Sequence, residues 1–297
     1  MSEVTILVNS CDLYEDAWDP FFKLLKIQWP DCPYRIVLNT ETKKYNCNFM
    51  SVETICGGKD VPWAKRLKNA LSKIESDYIL YFLEDFFLMS PVSTESFDKA
   101  LSLMKSDPLV GYIGLKYNKE HRFIDKNITK SDLPFLNKDE LVKANRVNSM
   151  TALWRKDWLE SLIRVHETPW EFEKYASIRS KRTDKKVLII NNSVLAPVFH
   201  YEIDFKYGYG ISMKKWLPKN KELFEKYRIQ ANFDSLGFMD ENTYNGMVAY
   251  SENNGSDKKK KVKAKFDSKE CLYNIKKSIK KMPKRINKKI RKIRSLI

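Results

Sequence analysis

Residues 77–88 read Asp77-Tyr78-Ile79-Leu80-Tyr81-Phe82-Leu83-Glu84-Asp85-Phe86-Phe87-Leu88. From Asp77 to Leu83 the run is almost unbroken in apolar and aromatic residues, the pattern of a central strand covered on both faces. It stops abruptly at two adjacent acids, Glu84 and Asp85. Two carboxylates closing a buried strand repel one another and lose hydration unless a cation or a hydrogen-bonding ligand lies close by.

Upstream the same arrangement recurs. Val4 to Val8 predicts a buried β-branched strand that ends in Asn9-Ser10-Cys11-Asp12, and Phe21 to Trp29 predicts an amphipathic helix. A second strand is expected from Tyr34 to Leu38, ending in Asn39-Thr40-Glu41, and a weaker third from Met50 to Ile55. Pro62 then opens a helix whose apolar positions Trp63, Leu67, Ala70, Leu71 and Ile74 keep helical spacing. Strands alternating with helices predict a mostly parallel, doubly wound sheet, in which ligands bind beyond the carboxyl ends of the strands.

Downstream, a helix is expected from Phe97 to Met104, strands from Val110 to Leu115 and from Val147 to Trp154, and a helix from Lys156 to Val165. The polar stretch from Lys116 to Lys143 reads as a loop region, either a lid or an irregular connection. Thr168-Pro169-Trp170-Glu171-Phe172-Glu173 begins another helix, with Thr168 as cap and Pro169 in the first turn. Val187 to Val198 reads as a strand finishing at Phe199-His200-Tyr201-Glu202, and Gly208-Tyr209-Gly210 as a flexible turn.

The chain of 297 residues, 43% of them apolar, is long enough for one catalytic domain with an appendage. Its formal charge of +16 is not spread out: from Asp257 to Ile297 there are 18 Lys/Arg against Asp257, Asp267 and Glu270. The body is close to neutral, so a nucleic-acid-binding face is not expected on it. Five cysteines without a C-x-x-C spacing indicate neither a disulfide framework nor a zinc knuckle, and fit a reducing cytosol. Neither a signal peptide nor an apolar run of membrane-spanning length is found. The polar stretch Ser251 to Ser256 is expected to end the body, giving a domain over 1–250 and a lysine-rich linker over 251–271. In 272–297 apolar residues at Leu272, Ile275, Ile279, Met282, Ile286, Ile290, Ile293 and Ile297 form one helical stripe between lysines and arginines. Such a basic amphipathic helix suits an anionic membrane surface on the cytoplasmic side; an RNA-binding arm and a partner-binding helix are the competing readings.

The segment DYILYFLEDFFL resembles the strand and acidic motif of GT-A glycosyltransferases. VTILVNSCD at 4–12, WAKRLKNAL at 63–71, SMTALWRKDWLESLI at 149–163 and TPWEFE at 168–173 are similar, in order and spacing, to small bacterial members that build capsular polysaccharide and lipopolysaccharide. The likeness extends over about residues 4 to 205. The motif departs from D-x-D, because Leu83 and Phe87 stand two positions either side of Asp85. The resemblance implies an α/β fold, a GT-A-like, Rossmann-like, mostly parallel sheet with flanking helices, followed by the helical tail. It implies transfer of a sugar from a nucleotide sugar to a saccharide, possibly lipid-linked, acceptor.

Transfer from a nucleotide diphosphate needs a counter-charge for the leaving diphosphate, usually Mn2+ or Mg2+, and carboxylates are natural ligands for such ions. Asp85 and the late His200 are the expected metal ligands. Donor contacts are expected from Asn9, Ser10, Asp12, Asn39, Thr40, Arg66 and Glu84. Glu171 or Glu173 is the expected general base, Glu171 being preferred, and Trp170, Asn148 and Arg155, with Ser149, the expected acceptor contacts. Two alternatives stand beside this reading: a noncatalytic membrane-peripheral protein that binds a saccharide or nucleotide, and a sugar nucleotidyltransferase, which the absence of a Gly-rich phosphate loop disfavours.

Overall fold

In a computed structural model of the chain, residues 2–115, 132–141, 146–201 and 209–255 are described. In chain order the first half contains β1 (Val4–Asn9), α1 (Glu15–Gln28), β2 (Arg35–Thr40), β3 (Glu53–Cys56), α2 (Trp63–Leu71), β4 (Tyr78–Leu83), α3 (Thr94–Ser106) and β5 (Val110–Gly114). Then follow β6 (Phe135–Asn137), α4 (Lys138–Leu141), β7 (Ala152–Arg155), α5 (Lys156–Leu162), α6 (Pro169–Ser180) and β8 (Lys186–Ile190). A small hairpin of β9 (Ile211–Ser212) and β10 (Lys215–Trp216) leads into α7 (Asn220–Lys226) and α8 (Glu241–Gly255).

Eight strands form one sheet in the order β3-β2-β1-β4-β7-β5-β8-β6. β1 to β4 run parallel to one another, as do β5 and β8, whereas β7 is antiparallel to both β4 and β5, and β6 to β8. The α/β reading therefore holds, with two reversed strands that it did not include. Alternation along the strands sends side chains to two separate cores. Ile6, Val8, Leu80 and Phe82 face one core, built with Phe21, Phe22 and Leu25 of α1 and Phe97 and Met104 of α3. Leu7, Ile79 and Tyr81 face the other, built with Leu67 and Leu71 of α2, Trp158 of α5 and Phe172 of α6. Both faces of β4 are thus covered, which is why its sequence is continuously apolar.

Several bounds differ from those expected. α1 begins at Glu15, well before Phe21, because acids in its first turn favour the helix start and Pro20 removes only the donor that would reach Asp16. In place of a strand over Val147 to Trp154, only Ala152–Arg155 pairs, since the backbone groups of Val147, Ser149 and Met150 bond to side chains instead of a neighbouring strand. The strand expected to reach Val198 stops at Ile190, where Asn191 turns the chain by capping the amides of Ser193 and Leu195 with its own oxygens. Ser251 to Gly255, expected to begin a linker, continue α8, whose Tyr244, Met247 and Val248 pack on Leu217 and Met239. Residues Met1–Gly255 group as one compact unit. The basic helix expected over 272–297, the rest of the linker, most of the Lys116–Lys143 loop, Glu202 and Gly208 lie outside the described residues. Among the described residues no helix is long and apolar enough to cross a membrane.

Candidate functional site

The strand order places the acidic pair. After β1 the chain passes to β2 and β3 on one side, and α2 then returns it to β4 on the other side of β1. The strand order therefore reverses between β1 and β4, a topological switch point beyond whose carboxyl ends an α/β sheet can open a ligand crevice. Asn9 pairs with Leu83, so Ser10 to Tyr14 and Glu84-Asp85 emerge side by side there.

Glu84 is 6% exposed and Asp85 is half-buried. Burial pushes both carboxyls well above the usual carboxylate range, and the charge of Asp85 raises Glu84 further. The Ser10 side chain and the nearby Arg66 guanidinium pull Glu84 back only in part. The Asp85 carboxylate accepts a hydrogen bond from the Ile211 amide at 3.2 Å, and its carbonyl accepts one from the Gly210 amide at 2.9 Å. The buried Asn220 amide donates to the Gly210 and Leu217 carbonyls and fixes this hairpin beneath the pair. Gly210 is required by close approach: a Cβ there would fall 2.1 Å from the Phe87 ring and 2.9 Å from the Asp85 carbonyl. Phe87 in turn stacks on Trp216, and Phe86 on Tyr201 at 4.5 Å.

Tyr14 and Cys11, neither singled out in the sequence, share this environment. Burial raises the Cys11 thiol to about 11, with Glu84 adding to it, and raises the Tyr14 hydroxyl to about 12, with Cys11, Glu84 and Asp85 adding to it. Cys11 stood in the sequence only as a member of the polar end of β1, and Tyr14 lies two residues beyond it.

The expected donor residues gather here, but most are already engaged. Asn39 donates to Asn9 at 2.6 Å, and the Thr40 hydroxyl donates to the Lys43 carbonyl at 2.7 Å. Trp18 donates to the Ser10 hydroxyl at 2.7 Å. Asp12 accepts from the amides of Glu41, Thr42 and Lys43 and from the Thr42 hydroxyl, tying the β1 loop to the β2 loop. These bonds outweigh its burial and hold its carboxyl below the usual range. Asp12 is therefore a latch between loops. Asp12→Ala leaves three amides without that acceptor and is expected to lower stability by about 1–2 kcal/mol at pH 7, given its exposure. Because its folded pKa is depressed, that contribution is present above about pH 3.9 and lost as pH falls through the lower folded value. Urea unfolding of both proteins at neutral and acid pH measures it.

Arg66 is 4% exposed, donates through Nη1 to the Ser10 carbonyl at 3.0 Å and lies 3.7 Å from Glu41 through Nη2, while its Nε has no partner. Gly57 permits this, since a Cβ there would come within 2.6 Å of the arginine side chain.

On the α6 side the structure separates the expected residues. Glu171 closes a capping box with Thr168, accepting from its amide at 3.0 Å, and is exposed. Glu173 accepts from the Ser149 amide at 2.9 Å and hydroxyl at 2.6 Å, and shares the surroundings of the buried Tyr81 hydroxyl with Asn9, Glu84 and Arg66. Helix phase turns Glu173 inward and Glu171, the preferred candidate in the sequence, outward. Asn148 accepts from the Tyr112 hydroxyl at 2.8 Å. Lys138, overlooked in the sequence, is 2% exposed near Glu173, and burial lowers its ammonium to about 8 although Glu173 and Asp139 oppose this.

Two expected residues are not brought to this group. Arg155 pairs with Tyr78, at the opposite end of β4, and its guanidinium donates to the Met104, Asp107 and Val110 carbonyls. β7 runs antiparallel, so its last residue faces away from the crevice. Trp170 is 79% exposed on the outer side of α6.

The pair fits a hard divalent cation by its chemistry: two adjacent carboxylates, forced towards protonation by burial and repulsion, regain their charge when a cation joins them. His200 is exposed, and its carbonyl accepts from the Met89 amide at 2.8 Å. Among the described residues no three His, Cys, Asp or Glu side chains cluster, so His200 does not complete a ligand set with the pair.

No protein-family model matches the chain, and no curated protein matches it. Solved structures resemble it at low identity. A crystal structure of S. aureus TarS 1-349 has a TM-score of 0.47 at 12% identity, over 85% of this chain and 71% of that one. A mannosyltransferase from Pyrobaculum calidifontis, in complex with GDP-Man and Mn2+, has a TM-score of 0.41 at 11% identity, over 63% of this chain and 56% of that one. A cytidylyltransferase from Leptospira borgpetersenii serovar Hardjo-bovis has a TM-score of 0.40 at 12% identity, over 69% and 83%. None of the three shows a shared family.

Proposed function

We propose that the chain is a nucleotide-sugar-dependent glycosyltransferase that moves a sugar to a saccharide acceptor, lipid-linked and destined for surface polysaccharide, on the cytoplasmic side of the membrane. The observation that carries this reading is the buried acidic pair at the β1/β4 switch point, where an α/β sheet binds its ligand. Glu84 and Asp85 would hold Mn2+ or Mg2+. That ion supplies counter-charge to the diphosphate as it leaves.

The chain's own groups do the rest. Ile211 and Gly210 hold Asp85 in place, and Arg66 presents its buried guanidinium with one nitrogen still unpaired. Asn9, Asn39, Ser10, Thr40 and Asp12 shape the donor side by fixing the two loops. Glu173, held by Ser149, is the carboxylate placed to take the acceptor proton. Asn148, beside it, belongs to the acceptor side.

The reading is tested by incubating the full chain with a panel of nucleotide sugars, with and without Mn2+, and following release of the nucleoside diphosphate. Metal-dependent release from one donor is the expected result. Consumption of a nucleoside triphosphate together with a sugar 1-phosphate would make the protein a nucleotidyltransferase, and thermal stabilisation by a nucleotide without any turnover would make it a binding protein.

A further inference from the structure

Helix α6 buries one side and leaves the other bare. Phe172, Ala176, Ser177 and Ser180 are buried, whereas Trp170, Tyr175 and Ile178 are 79%, 42% and 49% exposed. At 3.6 residues per turn, Trp170, Lys174 and Ile178 follow one another along a single side with Tyr175 next to them. Lys181 and Arg182 extend it past the end of the helix. Lys174, Lys181 and Arg182 are exposed, and none of the three makes an ion pair among the described residues; Lys174 lies 5.3 Å from the centre of the Tyr175 ring. On the helix itself the one acid on this side, Glu171, is occupied by the helix cap.

A tryptophan this bare, flanked by tyrosine, isoleucine and unpaired cations, is unusual on a surface that meets only water. Aromatic rings with a polar edge settle at the boundary between hydrocarbon and headgroups, and lysine and arginine reach from there to lipid phosphates. The side is the convex surface of a helix without a concave rim of hydrogen-bonding groups, which disfavours a small soluble ligand. Its charge complements an anionic surface.

We propose that the outer side of α6 is a membrane-contact face, resting in the headgroup layer of an anionic bilayer with Trp170 inserted. The inference does not depend on the glycosyltransferase reading. Contact through α6 would fix the orientation of the chain and not only tether it, because the inward side of the same helix carries Glu173. The orientation of the site towards the bilayer is then set by one rigid element.

The test uses the full chain with phosphatidylcholine/phosphatidylglycerol vesicles whose acyl chains carry bromine, reading tryptophan emission alongside co-sedimentation. Trp18, Trp29, Trp154, Trp158 and Trp216 are buried, which makes Trp170 the residue most open to quenching. The expected result is bromine quenching that is lost in Trp170→Phe, lost in the triple variant Lys174→Glu/Lys181→Glu/Arg182→Glu, and absent with phosphatidylcholine alone. Both variants alter exposed positions, and unchanged circular dichroism establishes that they fold. Sedimentation without quenching would mean attachment by the tail only, quenching retained in Trp170→Phe would place the contact elsewhere, and absence of sedimentation would mean no membrane contact; each overturns the proposal. So does a dimer in free solution that Trp170→Phe dissociates, which would put a second copy of the chain on this face.

Discussion

Asp85→Asn is expected to reduce donor turnover by about a thousandfold or more, equivalent to roughly 4 kcal/mol of transition-state stabilisation, while leaving the fold intact. The substitution keeps an oxygen to accept the Ile211 amide, so the hairpin of β9 and β10 stays seated. What it removes is the charge. With Glu84 alone at the strand end, the site loses half of its anionic donor set. Release of nucleoside diphosphate over a range of Mn2+ concentrations measures the effect; a fall that excess Mn2+ partly restores would show that Asp85 acts through the cation. Glu171→Gln is the matched control, since Glu171 serves the α6 cap and its loss touches stability alone. Turnover unchanged in Asp85→Asn would remove the acidic pair from the mechanism.

The contrast between Asp85 and the other expected residues shows what the sequence made legible. β4, the polar ends of β1 and β2, and the helix cap at Thr168 are local patterns, written in residues close together, and they are found where they were expected. Arg155 was misplaced because a strand's direction within a sheet is not a local property. The apolar run before it fits either direction, and only pairing with β4 and β5 shows that β7 is reversed. Glu171 and Glu173 lie on one helix start and differ by about 200° around its axis, so the choice between them required knowledge of what packs on each side. The amide of Ile211 reaches Asp85 across 126 residues, and the glycine that allows it reads in sequence as an ordinary flexible turn. Lys138 had no apolar or charged pattern around it to suggest burial beside Glu173.

Glu84→Gln is expected to stabilise the ligand-free protein even as it impairs turnover. Glu84 is 6% exposed beside a second carboxylate, and its folded pKa stands well above the value near 4.3 that it has in an unfolded chain. A raised folded pKa means that the folded state holds the proton more tightly, so the cost of ionising Glu84 is absent below about pH 4.3. It grows as pH rises from there towards the folded pKa, and is constant beyond it. Glutamine fills the same space, can accept from the Ser10 side chain and carries no charge at any pH. At neutral pH the gain should be on the order of 1–2 kcal/mol, raising Tm by roughly 2–8 °C for a body of this size. The difference from wild type should shrink as the buffer approaches pH 4. Adding Mn2+ should narrow it from the other side, because a cation that binds only the folded wild-type pair stabilises that protein and not the variant. Thermal unfolding of both proteins between pH 4 and 8, with and without Mn2+, tests each part: a Glu84→Gln protein less stable than wild type at neutral pH, or one stabilised equally by the metal, would show that the pair is not held as two repelling carboxylates awaiting a cation.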